Sequence, residues 1–501
     1  MMTPTEIIIT IQPIGLEVRV RPGTPLMDVL HEYGVEFPCG GKGTCGSCRF
    51  RLISGTVPVT PIHASLLAGI GLSGDMRLAC MSAPHSNISI EIPQLETVIL
   101  ADNSKFDFEP QQGFGIAIDL GTTTLVGQLL DLSSGQVIHV ATARNPQGKY
   151  GSDIMSRIEF ALGQGNAEIL RRLIRDKIRD MISALLTGHH AGLSKIIIVG
   201  NTVMHHLFCG LDVRSLSFFP FESPNTGIRK FFPSDLDWNL DNSTEVIFMP
   251  SIGSFVGSDI LAGIFATRLY MGKSYQALID LGTNGEIAIG NSEKIICAST
   301  AAGPAFEGAR ITMGMTASTG AISSVEAKIN TLQCHTIGNV KSAGICGSGI
   351  IDAISVFLDK NLINDFGDIQ SNQQEIWLDS SVYLNQKDIR EIQLAKAAIA
   401  SGLEILNKQL NITVNDIENL YIAGGFGNFI NLANSRRIGL IDLPEEKIRK
   451  MGNTALIGAK MFLFMDPAKI SQVLNITRHI SLESDPEFQE LFIQNMLFRK
   501  K

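Results

Sequence analysis

The chain has 501 residues, enough for about three domains with full cores. Its 41 Lys and Arg against 49 Asp and Glu give a formal net charge of -8, which argues against a broad nucleic-acid surface. Although 45% of the residues are hydrophobic, no apolar run reaches the about 18 residues of a membrane span, and the first residues lack the layout of a secretory signal; a cytoplasmic protein without a membrane or nucleic-acid partner is expected.

In chain order, IIITIQ and GLEVRV predict a hairpin over residues 6 to 20, and TPLMDVLHEYG predicts a short helix opened by Thr24 and stopped by Gly34. Cys39, Cys45 and Cys48 follow in CGGKGTCGSC, and Cys80 stands 32 positions after Cys48. This order is close to the spacing that holds a [2Fe-2S] cluster in plant-type and adrenodoxin-type ferredoxins, and the glycines let the backbone wrap a small inorganic core. A disulfide pair or a zinc knuckle are the alternatives. Zinc favours two separated C-x2-C pairs, and one is present here. The strands RFRLISG and ISIEIP complete a β-grasp ferredoxin-like module over residues 1–93. The other cysteines, Cys209, Cys297, Cys334 and Cys346, are scattered and do not form a secreted disulfide framework.

Residues 94–112 are polar and read as a linker. GFGIAIDLGTTTLVGQLLDL then places an apolar strand before Asp119 and the turn Gly121, Thr122, Thr123, Thr124, with a second apolar strand returning. Such a turn lets backbone N–H groups and hydroxyls cradle phosphates, with Asp119 holding Mg2+ through water. A plain hairpin is the alternative. QALIDLGTNGEIAIG repeats the arrangement with Asp280, Gly282, Thr283, Asn284, Gly285 and Glu286, an internal duplication in which two facing loops can enclose a nucleotide. YIAGGFGNF adds a third glycine turn after a strand, where Gly424 and Gly425 are placed to border a nucleoside.

DLGTTT, DLGTNGE and IAGGFG resemble, in order, the two phosphate motifs and the adenosine motif of the actin, sugar-kinase and Hsp70 superfamily of ATPases. The fold class implied is α/β with α+β: the β-grasp ferredoxin followed by a duplicated ribonuclease-H-like ATPase, with lobe 1 at 113–275 and lobe 2 at 276–501. A [2Fe-2S] ferredoxin joined to this fold resembles the reductive activators of corrinoid-dependent enzymes. NPQGKYGSDIMSRI, VGNTVMHHLF, TAAGPAFEGARI and GICGSGIID resemble further segments of that family. Longer members carry an additional segment between ferredoxin and ATPase, which the short linker here replaces.

The resemblance implies an ATP-hydrolysing activator. Its cluster takes an electron from a low-potential donor and passes it to the Co(II) corrinoid of a partner, a methyltransferase component or a corrinoid iron-sulfur protein, restoring Co(I). The energetics agree with the domain pairing: plant-type clusters work near roughly −400 mV, reduction to Co(I) is more demanding, and nucleotide turnover supplies the difference. Dimerisation through the ATPase is also implied.

On this reading Cys39, Cys45, Cys48 and Cys80 ligate iron, the two threonine and glycine loops hold ATP, Asp119 and Asp280 orient Mg2+ or the attacking water, and Glu286 is a candidate for activating that water. Gly347 and Ser348 open a helix toward the nucleotide. His205 and His206 are expected in the core or against a partner, and Cys346 as a buried thiol. A ferredoxin-coupled small-molecule kinase and a nucleotide-dependent redox switch are the competing functions; an activator of a radical dehydratase fits less well, because such proteins hold a bridging [4Fe-4S] cluster and carry no such ferredoxin domain.

Overall fold

The computed structural model describes all residues except 1–5, 13–15, 31–34, 36–42, 44–47, 70–73, 93–105, 107, 189–191, 283, 318–319, 330, 338–339, 371–373, 425–429 and 499–501. The chain divides into two compact units, residues 1–97 with 144–177, and residues 98–143 with 178–501.

In the first unit, β1 (Ile7–Gln12) and β2 (Leu16–Val20) form the expected antiparallel hairpin, and α1 (Leu26–Leu30) is the described part of the helix expected from Thr24. β3 (Arg49–Ser54), α2 (Pro61–Gly69), β4 (Met76–Leu78) and β5 (Ile88–Glu91) complete a five-stranded sheet in the order β2-β1-β5-β3-β4, with β1 and β5 parallel. This is the β-grasp arrangement. Its alternating strands turn Ile7, Ile9, Ile11, Phe50, Ile88 and Ile90 inward, each nearly inaccessible to solvent. α2 and β4 were not legible in the sequence. Thr60 starts α2, accepting the His63 N–H through its hydroxyl at 3.1 Å, but the helix is short and its apolar residues follow no clear helical period. The unit also contains α3 (Ile154–Ala161) and the start of α4 (Asn166–Leu185).

The second unit holds two six-stranded sheets of the same plan. In the first, β6 (Phe114–Leu120), β7 (Thr124–Asp131) and β8 (Val137–Arg144) form a meander; β9 (Leu193–Gly200) runs parallel to β6, α5 (Thr202–Cys209) follows, and β10 (Arg229–Phe231) and β11 (Glu245–Phe248) extend the sheet before α6 (Ser258–Ala266). In the second, β12 (Tyr275–Leu281), β13 (Gly285–Gly290) and β14 (Ile295–Thr300) repeat the meander. A small sheet, β15 (Ala321–Ala327), β16 (Leu332–Thr336) and β17 (Gly344–Ile345), precedes α7 (Gly347–Asp359), and the ribbon β18 (Glu375–Trp377) and β19 (Tyr383–Asn385) precedes α8 (Gln386–Gln409). β20 (Ile417–Ala423), α9 (Leu432–Arg437), β21 (Ile448–Gly452) and α10 (Thr454–Phe464) complete the repeat. After α11 (Pro467–Ile476), β22 (Thr477–His479) joins the sheet beside β14, and α12 (Phe488–Asn495) packs on α8, so the tail returns onto the second repeat.

The central strands are almost wholly apolar because helices cover both faces of each sheet. Between the sheets α6 and α10 cross closely. A side chain at Gly458 would run into the Ala262 backbone, so the crossing requires glycine there. The linker also ends in order: Phe106 and Phe108 pack their rings 5.6 and 4.5 Å from that of Phe464. His205 and His206 are fully buried, consistent with the expected core role. No helix among the described residues is long and apolar enough to cross a membrane.

Candidate functional site

Cys48 and Cys80 are brought together by the sheet and the turn after β4. The Ala79 N–H donates to the Cys48 carbonyl at 2.9 Å, and the two Sγ atoms lie 3.3 Å apart. That separation exceeds the about 2.05 Å of a disulfide and suits two thiolates on one iron. Cys39 and Cys45 lie outside the described residues. The described pair therefore fits half of a cluster ligand set, and it contains no zinc-type second C-x2-C pair.

The other candidate site lies between the two sheets of the second unit. β6 and β12 each carry an aspartate as the last residue but one, Asp119 and Asp280, before a turn. In the first turn the Gly121 N–H donates to the Thr124 carbonyl at 3.1 Å; in the second the Gly282 N–H donates to the Asn284 carbonyl at 3.1 Å, a loop one residue shorter. Thr283 lies outside the described residues. The difference has a consequence across the strands: Asp119 faces Val126, whereas Asp280 faces Glu286, placing two carboxylates side by side.

Two further residues complete the cleft. Asp259, in the first turn of α6, lies close enough to Asp280 and Asp119 to feel their charges, and Glu286 feels the charge of Asp259. Asn453 caps α10, accepting the Leu456 N–H at 2.8 Å, and its Nδ2 donates to Asp119 Oδ2 at 2.8 Å. The crossing of α6 and α10 thus sends an asparagine of the second repeat to the aspartate of the first and an aspartate of the first repeat to that of the second. Asn201 similarly caps α5, accepting the Met204 N–H at 3.0 Å, while its Nδ2 donates to Thr122 Oγ1 at 2.9 Å.

The electrostatics follow from this crowding. Each of the four carboxylates keeps some accessible surface, as cleft-lining groups do, yet each is surrounded deeply enough to lose most of its hydration. Burial raises Asp119 to about 6, opposed by the Asn453 hydrogen bond. Burial and the Asp119 charge raise Asp280 to about 7; burial and the Asp280 and Asp119 charges raise Asp259 to about 8. Glu286 is pushed well above the ordinary range by burial and by Asp259 and Asp280, although Ser299 Oγ donates to it at 3.2 Å. A cluster so short of counter-charge is suited to a cation and to phosphate groups carrying one. No group of three or more His, Cys, Asp or Glu among the described residues can hold a metal directly.

Gly424, directly after β20, borders the same cleft. Gly424 has φ +88, and a side chain on it would meet Asp280 Oδ1 at 2.8 Å as well as the Leu281 carbonyl. Gly425 lies outside the described residues. α7 begins at Gly347 behind the buried Cys346, but the Ser348 hydroxyl donates to the Ser323 carbonyl at 2.8 Å, so the helix can offer a ligand its backbone amides rather than that hydroxyl. Asp259, Asn201 and Asn453 escaped the sequence reading. A signal existed for two of them: Gly200-Asn201-Thr202 and Gly452-Asn453-Thr454 are the same tripeptide, each ending a strand and opening a helix.

Comparison with known proteins follows this division. The 2Fe-2S iron-sulfur cluster binding domain matches residues 9–85, the RACo middle region matches residues 114–272, and the C-terminal domain of RACo, the ASKHA domain, matches residues 274–501. The corrinoid activation enzyme RamQ of Eubacterium limosum is 35% identical over 442 residues, 80% of this chain and 74% of that protein. The [Co(II) methylated amine-specific corrinoid protein] reductase of Methanosarcina barkeri is 27% identical over 402 residues, 74% of this chain and 73% of that protein. The solved structure of a reductive activator for corrinoid, iron-sulfur protein superimposes with a TM-score of 0.69 at 25% identity, covering 98% of both chains.

Proposed function

The chain belongs to the RACo family of reductive activators, and from that premise we propose how its residues carry out ATP-dependent reduction of a partner's Co(II) corrinoid to Co(I). The observation that carries the reading is the joining, in one chain, of a closely spaced cysteine pair in a β-grasp module and a carboxylate-lined cleft between duplicated lobes. Electron transfer and nucleotide hydrolysis each have a place.

Cys39, Cys45, Cys48 and Cys80 would hold the [2Fe-2S] cluster, which supplies one-electron chemistry when bound. In the cleft, Gly121 to Thr124 and Gly282 to Gly285 line the nucleotide phosphates with backbone N–H groups and hydroxyls. Asp119, held by Asn453, and Asp280 would hold a Mg2+ through its waters, with Asp259 as a third carboxylate; the ion would supply charge neutralisation at the phosphates. Gly347 and Ser348 present helix amides, and Gly424 and Gly425 let the chain pass beside the nucleoside. Burial and the charges of Asp259 and Asp280 favour the protonated form of Glu286 in the unliganded cleft, so a cation that relieves this repulsion would favour its action as a base toward water. The free energy of binding and hydrolysis then biases the complex with the corrinoid protein toward the state in which the uphill electron transfer occurs.

The partner is a corrinoid protein, either a methyltransferase component or a corrinoid iron-sulfur protein; a low-potential donor reloads the cluster, the activator works as a homodimer, and the setting is the cytoplasm. The test is anaerobic absorbance of a Co(II) corrinoid protein with this protein and a low-potential reductant. Co(I) formation that requires Mg-ATP supports the proposal. Equal Co(I) formation without nucleotide, or failure with both classes of corrinoid protein despite an intact cluster and ATP hydrolysis, refutes it.

A further inference from the structure

We infer that His63 is a positioning residue for the iron–sulfur cluster, acting on Cys80 through the main chain of Leu78. The inference rests on the assignment of Cys48 and Cys80 as cluster ligands. His63, in the first turn of α2, is fully buried, and its Nε2 accepts the Leu78 N–H at 3.2 Å. Leu78 ends β4, an edge strand whose other side pairs with β3 through Arg49. Its N–H therefore needs an acceptor from outside the sheet, and the imidazole supplies it.

Leu78 is secured at both ends of its peptide unit. The Ser82 hydroxyl donates to the Leu78 carbonyl at 2.7 Å, and the Leu26 N–H donates to the Ser82 carbonyl at 2.8 Å. Between Leu78 and Ser82 lie Ala79, Cys80 and Met81, so the place of the Cys80 sulfur is set by a turn tied to α2 on one side and to α1 on the other. Because Nε2 is the acceptor, the ring proton sits on Nδ1, which is buried and makes no hydrogen bond. Burial and the Arg77 charge both hold the ring neutral. An uncharged acceptor here fixes the turn without adding charge to the cluster, and no ligating atom is involved. Loss of the acceptor would leave a buried amide unpaired, loosen the turn and admit water to the cluster, which favours the more negative reduced state and moves the potential upward.

The test compares His63→Leu with His63→Gln in the cluster-loaded full-length protein. The Gln Oε1 can occupy the place of Nε2 and accept the same N–H; Leu cannot. The midpoint potential and g-values are read by electron paramagnetic resonance during redox titration, and cluster loss by the decay of visible absorbance in chelator. His63→Leu is expected to titrate at a more positive potential and to lose its cluster about ten-fold faster, the scale set by one unpaired buried amide, while His63→Gln keeps the native potential and spectrum. A His63→Leu protein with native potential and native cluster lifetime overturns the inference. Equal disturbance in both variants also overturns it, because the ring would then act by packing. If His63→Leu takes up no cluster, the His63→Gln spectrum alone decides: native values support the acceptor role and altered values reject it. Absence of any [2Fe-2S] signal from the unmodified protein would instead refute the cluster assignment itself.

Discussion

Binding of Mg-nucleotide should expel protons, in an amount the cleft geometry sets. With Asp259 raised to about 8, Asp280 to about 7 and Asp119 to about 6, the unliganded protein at pH 7 holds about 0.9, 0.5 and 0.1 proton on the three groups. The groups interact, so the total of about one and a half protons belongs to the set rather than to single residues. A hydrated cation with phosphates favours the ionised forms and releases most of this charge. By pH 8.5 the share held by these three groups falls to about a quarter of a proton, and the release should fall with it. Isothermal titration calorimetry in two buffers of different ionisation enthalpy measures the number directly, and Asp259→Asn should lower it at pH 7 by about 0.9 proton. A release near zero at pH 7, or one that does not decline toward pH 8.5, would refute the reasoning. Stability gives the same sign. Carboxyls whose folded pKa is raised add stability that is complete below their ordinary range and is lost as pH rises through about 6 to 8. The Tm of the unliganded protein should therefore fall over that interval, and the stabilisation by Mg-nucleotide should grow.

Asn453→Ala removes both the α10 cap and the Asp119 hydrogen bond and should cost about 1–2 kcal/mol. Asn453→Asp keeps the cap but adds a like charge, so in thermal unfolding it should recover stability only at acid pH. Gly424→Ala forces a Cβ against Asp280 at φ +88 and should weaken nucleotide binding about ten-fold or more by calorimetry, the scale of about 1–2 kcal/mol of left-handed strain. Gly458→Val should lower Tm and nucleotide affinity together, because it pushes α10 from α6 and carries Asn453 away from Asp119. Cys48→Ser should abolish the visible absorbance of the cluster while nucleotide binding, measured by calorimetry, persists.

The order of the domains was legible along the chain, because a ferredoxin loop and two strand-turn-strand motifs are local patterns. The β-grasp hairpin and the paired glycine turns after β6 and β12 stand where alternating and apolar strands require them. α2 was not legible, since its apolar residues have no helical period, and neither was β4, since three residues carry too little pattern. Yet these elements bring His63 and Cys80 into one structure.

By itself the sequence determined the residues that must be present: four cysteines at ferredoxin spacing, aspartates near the ends of two duplicated strands, and glycines where a side chain could not fit. Only the tertiary structure decided their company. Asp119 meets Asn453 from 334 residues away, and Asp259 meets Asp280, because α6 and α10 cross at Gly458 and exchange their first turns between the lobes. That crossing is a long-range packing event, and no local periodicity records it. The raised carboxylate pKa values are likewise properties of burial and proximity, which come into existence only when the two sheets are folded against the same pair of helices.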